Sequence, residues 1–196
     1  MKSFFTLGAL AGAVLLSTSS FAAPGDIVMR VRAVNIATHN SSSPVAGVEV
    51  SKKTIPEIDF SYYFSDVFSA ELILTYPQKH DVSLSGTKLG TLKQLPPTLL
   101  AQYHFMPGSS YSPYVGAGLN YTLFSGVDIP GLDVKRSSIG GALQVGVDIP
   151  VNKSMSFNID LKKVYMKTDV KTTAGAYVTT LKVDPVLFGI GLGWKL

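Results

Sequence analysis

The sequence predicts an all-β chain: an eight-stranded antiparallel transmembrane β-barrel. Three observations predict it. Apolar residues alternate with polar or small ones at period two in eight segments, the spacing that sends successive side chains to opposite faces of a strand. The connections between those segments are alternately short and long. Beyond the N-terminal segment no apolar run reaches helix-spanning length, so a mature chain that crosses a bilayer must do so as a closed barrel, because lipid offers no partner to an open strand edge.

The first 22 residues read as a secretory signal. Lys2 is its basic start, Phe4 to Leu16 its apolar core, and Ser20-Phe21-Ala22 a small-x-small cleavage site before Ala23. Residues 23–196 then form the barrel, about 174 residues and one domain's worth.

Strand one, about Asp26 to Ile36, sets Ile27, Met29, Val31 and Ala33 against Arg30 and Arg32. A polar loop (Thr38 to Pro44) follows, and Val45 to Val50 extends that hairpin. Strand two, about Ile55 to Ser65, sets Ile58, Phe60, Tyr62 and Phe64 against Glu57, Asp59, Ser61 and Tyr63. Strand three, about Val67 to Gln78, sets Phe68, Leu72, Leu74 and Tyr76 against Ser69, Glu71, Ile73 and Thr75. The segment HDVSLSGTKLGTLK reads as a long loop.

Strands four and five are the clearest pair, Leu95 to Thr122. Leu99, Ala101, Tyr103 and Phe105 oppose Thr98, Leu100, Gln102 and His104. After a Pro/Gly/Ser turn, Val115, Ala117, Leu119 and Tyr121 oppose Tyr114, Gly116, Gly118, Asn120 and Thr122. A loop, SGVDIPGLD, leads to strand six (about Lys135 to Ile149), with Ala142, Gln144, Gly146 and Asp148 on its mixed face. Strand seven (about Ser154 to Thr168) sets Met155, Phe157, Ile159 and Leu161 against Asn158, Asp160, Lys162 and Val164. Lys163 falls on the apolar side, near enough to the strand's far end to reach the headgroup region. Strand eight, about Thr180 to Leu196, carries Phe188, Ile190, Leu192, Trp194 and Leu196 as an apolar stripe to the last residue.

Short connections after strands two, four and six, and long ones after one, three, five and seven, fit an outer-membrane barrel with periplasmic turns and larger outer loops. A soluble sandwich has little use for an apolar closing strand. Only 15% of residues are charged and none is cysteine, so an exported chain of this kind draws its stability from burial or from the membrane. The formal net charge of +4 is too small and dispersed for a nucleic-acid partner.

The strings AELILTYPQKHD (Ala70 to Asp81), LPPTLLAQYHF (Leu95 to Phe105), PYVGAGLNYT (Pro113 to Thr122) and QVGVD (Gln144 to Asp148), with Asp184-Pro185, resemble the OmpW family of small outer-membrane proteins of Gram-negative bacteria. The resemblance covers the mature chain and departs at its end, where Leu196 stands in place of the family's usual aromatic. It implies an eight-stranded barrel with a narrow, largely apolar interior, passage of small hydrophobic compounds and use as a receptor by bacteriocins. Positions matching the family's apolar constriction are Ile73 and Val164.

Eight strands leave a bore that side chains fill. Read by depth, Arg30, Glu71, Gln102, Asp148 and Asn158 form a polar periplasmic plug, because opposite charges at one level of a tight bore must pair. Ile73, Leu100, Val164 and Leu187 form an apolar lumen constriction above it, dry to water and ions but not to an apolar solute. These features predict a monomeric outer-membrane channel for small hydrophobic molecules, surrounded by outer-membrane lipid, with a lateral exit into the membrane. Pro96-Pro97 and Pro185 remove ladder donors that such an exit would break, although the same residues also serve simply to end strands at the rim. The alternative is a non-transporting surface protein whose outer loops bind a bacteriocin, a phage or a host ligand.

No catalytic, cofactor or metal site is expected. His39, His80 and His104 have no partners at metal-ligand spacing, and His80-Asp81 lies in no hydrolase signature. The chain reads as no enzyme.

Overall fold

The computed structural model describes residues 21–38, 41–45 and 47–196. The expected leader lies outside them except for Phe21 and Ala22, and His39 lies outside as well.

Fifteen strands run in order: β1 (Ile27–Ala37), β2 (Ser41–Ser43), β3 (Val48–Val50), β4 (Lys53–Tyr63), β5 (Phe68–Leu74), β6 (Gln78–Leu84), β7 (Thr87–Leu95), β8 (Thr98–His104), β9 (Ser112–Asp128), β10 (Leu132–Val134), β11 (Ser137–Pro150), β12 (Met155–Val164), β13 (Lys167–Thr172), β14 (Tyr177–Lys182) and β15 (Val186–Lys195). Eight are the staves of a closed antiparallel barrel, β1-β4-β5-β8-β9-β11-β12-β15, and β15 returns to β1 with Met29 opposite Trp194.

The alternation decides which way each stave faces. Ile139, Leu119, Leu99 and Phe188 stand on the outer wall, at least half exposed, while Val34, Asp59, Glu71 and Asn158 are buried in the bore. A soluble sandwich would bury the first set. Near the short turns Tyr62–Phe64, Phe68–Tyr103 and Tyr103–Phe105 pack edge to face with ring centroids 5.0, 5.1 and 5.1 Å apart, an aromatic girdle at one membrane interface.

Several staves break at a common level toward the long-loop end. The breaks are Thr75–Pro77, Pro96-Pro97, Lys135-Arg136, Tyr165-Met166 and Val183–Pro185. Four of those residues are prolines, which cannot donate to a ladder. Asp184 seals one break. Its Oδ1 accepts the Met166 N–H at 3.1 Å, and its carbonyl accepts Lys163 Nζ at 2.6 Å, so the outward lysine does bend toward the rim.

Above the breaks the long connections are not loops. The segment expected as one, His80 to Lys93, is the hairpin β6–β7, with Leu84 paired to Thr87 around Ser85-Gly86. Both turn residues have positive φ, 48° and 82°, the two-residue geometry whose twist matches flanking strands. The hairpin pairs with β3 on one side and the outer end of β9 on the other, and β9 runs on to Asp128 through the expected loop. Of the piece expected to prolong the first hairpin, Val48–Val50 therefore joins β6 instead. The expected strands seven and eight each divide at the break, and their outer parts, β13 and β14, join β10 and β2 in a separate four-stranded sheet. Polar composition hid these strands. Only their inward residues, such as Val82, Leu92, Val170 and Leu181, are apolar and buried.

Gly86→Val forces a β-branched residue into the left-handed region, at a cost of about 1–2 kcal/mol. Hydrogen exchange should speed up at the Val82 and Leu84 amides of the outer hairpin and stay unchanged in the barrel staves.

Candidate functional site

The bore divides by height into a charged layer and an apolar chamber. In the charged layer three cations, Arg30, Arg32 and Lys162, face five carboxylates, Glu57, Asp59, Glu71, Asp148 and Asp160, and all eight are buried. Arg30 grips Asp148 with two bonds, Nε to Oδ1 at 3.1 Å and Nη2 to Oδ2 at 2.7 Å, and reaches Asp59 Oδ1 at 3.2 Å and Ser61 Oγ at 2.7 Å. Arg32 stands at the centre. Its Nη2 contacts both Asp59 and Glu71, its Nε lies 3.2 Å from Glu57 Oε1, and its Nη1 lies 3.3 Å from Asp160 Oδ2. Lys162 Nζ bridges Glu57 and Asp160, each at 2.7 Å.

Neutral side chains complete the layer. Gln144 Nε2 donates to Glu71 Oε2 and Asp160 Oδ2, both at 2.7 Å, while its Oε1 accepts Gln102 Nε2 at 2.9 Å. Asn158 donates to Asp148 Oδ1 at 2.9 Å, and the Tyr114 hydroxyl donates to Asp160 Oδ2 at 2.9 Å. Ser69 links Gln102 to His104.

Strand register makes room for these large groups by setting glycine against them. Arg32 pairs with Gly191, where a Cβ would come within 2.7 Å of the arginine Cγ, and Tyr114 pairs with Gly146, where a Cβ would enter the phenol ring.

The five residues expected to plug the bore, Arg30, Glu71, Gln102, Asp148 and Asn158, are thus brought into one network. That set omitted Arg32, Glu57, Asp59, Asp160, Lys162, Tyr114 and Gln144. The signal was present, because the same alternation turns all seven inward. Sorting by depth alone left them out.

Above the layer Ile73, Leu100, Val164 and Leu187 are buried in one aliphatic cluster with Val34, Ile36, Ile55 and Met166. Within it lies a cavity of about 20 Å³, room for one water, floored by Glu57 and Lys162 and walled by Ile73, Val164, Leu187, Pro96 and Pro185. The cluster continues upward between the two outer sheets. There Val48, Val82, Leu92, Ile129, Val134, Val170 and Leu181 enclose a second cavity of about 100 Å³ whose lining is aliphatic apart from Thr179.

Between the two cavities sits a polar column on the β6–β7 hairpin. Gln78 pairs directly across from Gln94, and His80 is the next inward residue. The imidazole bonds through Nδ1 to the Ser51 carbonyl at 3.1 Å and through Nε2 to Gln94 Nε2 at 3.1 Å. Burial holds its pKa below the ordinary histidine value, against the opposing pull of the Ser51 carbonyl. The ring is therefore neutral, with Nδ1 as donor and Nε2 as acceptor.

The ladder between β5 and β8 ends at Ile73 opposite Thr98, and pairing on the same side resumes only at Gln78 opposite Gln94. This leaves a seam in the wall, Thr75–Pro77 against Leu95–Pro97, beside the lumen cavity.

The sequence profile of the OmpW family matches residues 23–196. The chain belongs to the OmpW family. It is 33% identical over 192 residues to outer membrane protein W of Vibrio cholerae, covering 87% of this chain and 88% of that one. It is 30% identical over 159 residues to the dibenzothiophene metabolism operon protein PahQ of Pseudomonas aeruginosa, covering 76% and 75%. The crystal structure of OprG from Pseudomonas aeruginosa is similar over 91% of this chain and 98% of that one, with a TM-score of 0.77 at 30% identity. This OmpW-family barrel is accordingly a protein of the bacterial outer membrane, with the aliphatic wall in lipid.

Removing Arg32 tests the charged layer. Arg32→Leu strips Glu57, Asp59, Glu71 and Asp160 of a shared partner, and breaking buried pairs of this kind costs about 3–5 kcal/mol. Urea unfolding in detergent, followed by the shift in gel mobility of the folded barrel, should show a loss of that order.

Proposed function

We propose that the barrel admits small hydrophobic molecules from outside, holds them above the charged layer, and releases them sideways into the membrane. The observation that carries this reading is the aliphatic cluster that runs from the cavity between the outer sheets, past the polar column of Gln78, Gln94 and His80, down to Ile73, Val164 and Leu187, ending on the Glu57–Lys162 pair. An apolar bore repels water and ions but costs an apolar solute nothing in desolvation. An ion would gain no partner there, because the carboxylates and cations beneath are engaged with one another.

Ile73, Leu100, Val164 and Leu187 are the constriction in this reading. The wider network around Arg30, Glu71, Gln102, Asp148 and Asn158 is the plug that denies an axial route to the periplasm. The exit is the seam between β5 and β8, where Pro96 lines the lumen cavity and no ladder pair must be broken. Pro96-Pro97 thus ends a strand and leaves the door in a single feature. The name of PahQ, from an operon for the metabolism of dibenzothiophene, an apolar aromatic sulfur compound, favours the same class of solute. The chain has no catalytic role in this reading, and a monomer suffices for it.

Ile73→Asp and Val164→Asp place an unpaired carboxyl group in the constriction. Each should lower the uptake of an apolar fluorophore into proteoliposomes about tenfold, the effect of ~1.4 kcal/mol of added barrier, while the folded-barrel gel mobility persists. Uptake equal to that of the unaltered barrel would count against the constriction. A transport rate no greater than that of protein-free vesicles would favour the surface-binding alternative.

A further inference from the structure

Three side chains facing the lumen cavity have buried polar atoms without a hydrogen-bond partner. They are both amide atoms of Gln78, Oε1 of Gln94 and Oγ1 of Thr75. Gln78 is fully buried and Gln94 is 3% exposed. A buried amide normally finds partners, and leaving one unsatisfied costs free energy. The cavity they face has room for one water.

The three residues are adjacent in space by construction. Gln78 and Gln94 are direct cross-strand partners at the foot of the outer hairpin, and Thr75 opens the break between β5 and that hairpin and lines the same cavity. They sit at the seam, on the path from the outer cavity to Ile73. Aliphatic walls with a few convergent polar groups are the usual make-up of a small-molecule site, in which the apolar wall binds and the polar groups select. Together these groups offer one amide donor, two carbonyl acceptors and one hydroxyl that can do either. A ketone or ether could use the donor alone, and a hydrocarbon none of them. A hydroxyl uses both kinds at once, accepting from Gln78 Nε2 and donating to Gln94 Oε1. His80, neutral and already bonded to Gln94, adds no charge to attract an ion.

We propose that Gln78, Gln94 and Thr75 form a selectivity site for a neutral hydroxyl-bearing apolar molecule, an alcohol or a phenol, on its way to the seam. This rests on the uptake reading above and adds the chemical class of the preferred solute.

Phenol and toluene are matched in size and differ by a hydroxyl for a methyl group. Both are titrated into the full barrel in micelles, with the side-chain amide signals of Gln78 and Gln94 followed by NMR. Phenol should shift both signals and bind about fivefold to tenfold more tightly than toluene, the range that one or two net hydrogen bonds confer. Gln78→Leu should bring the ratio to about one while toluene binding holds or improves. Gln78→Leu should also leave the barrel as stable or more so, since it removes an unsatisfied amide. Equal binding of the two molecules by the unaltered barrel would overturn the proposal, as would a preference that survives in Gln78→Leu. Proteoliposome uptake keeps the two readings apart. If uptake is sensitive to Ile73→Asp yet indifferent to the hydroxyl, only the selectivity site fails. If neither molecule binds, the uptake reading fails along with it.

Discussion

Arg32 reaching four carboxylates inside the bore is the contact on which the rest of the molecule depends. Its partners come from three neighbouring or facing staves, β4, β5 and β12, while Arg30 beside it ties β1 to β4 and β11. The network thus acts as a set of spokes across a barrel whose ladder hydrogen bonds fix only its rim. It is also costly to disturb. The excess of carboxylates over cations means that removing any cation leaves charge uncovered, and desolvated charge is among the most expensive things a fold can carry. Through traffic along the axis would have to dismantle it.

That closure determines what the upper half can do. A chamber shut below and lined by aliphatic side chains must exchange its contents upward or sideways. Sideways, the staves are held by ladders except at the breaks, and two breaks border the lumen cavity. The stretch from Lys163–Val186 to Lys167–Lys182 is bridged by the Val164 N–H on the Pro185 carbonyl at 3.1 Å and the Val183 N–H on the Met166 carbonyl at 3.0 Å. The other is the stretch from Ile73–Thr98 to Gln78–Gln94. Upward, the chain forms two sheets that clasp an apolar cavity instead of a wet vestibule. The inward residues of this outer region line that cavity, although its outward residues, such as Lys79, Lys93, Lys167 and Lys182, give it the composition of solvated loops.

This difference between face and composition explains what the sequence revealed and what it hid. Period-two alternation sorted the membrane staves, down to Leu187 inside and Phe188 outside, because lipid favours apolar side chains on one face. The outer strands carry no such demand. HDVSLSGTKLGTLK alternates only through His80, Val82 and Leu84, and it reads as loop until the turn chemistry of Ser85-Gly86 is taken into account. Nor could the pairing of β2 with β14, more than a hundred residues apart, be read from either segment. In the bore, parity found every member of the charged layer, but grading by depth kept only five of them. Staves tilt, so residues at different distances from a turn meet at one height.

The two cavities are small as they stand. An engineered apolar cavity of about 150 Å³ takes up benzene. The outer cavity falls short of that size, and the lumen cavity holds one water. Passage therefore requires the walls to part, and the question is where this costs least. Opening a registered ladder breaks backbone hydrogen bonds that lipid cannot replace, several kcal/mol for each orphaned group. Parting the seam separates side chains only, and the unbranched, flexible Met166 lies across the same cavity and can give way. The prolines that end the staves have thus already met, in the folded state, the backbone cost that a transient opening elsewhere would incur each time. A solute whose hydroxyl satisfied Gln78 and Gln94 at the edge of that seam would lower the barrier further at the point where the wall is weakest.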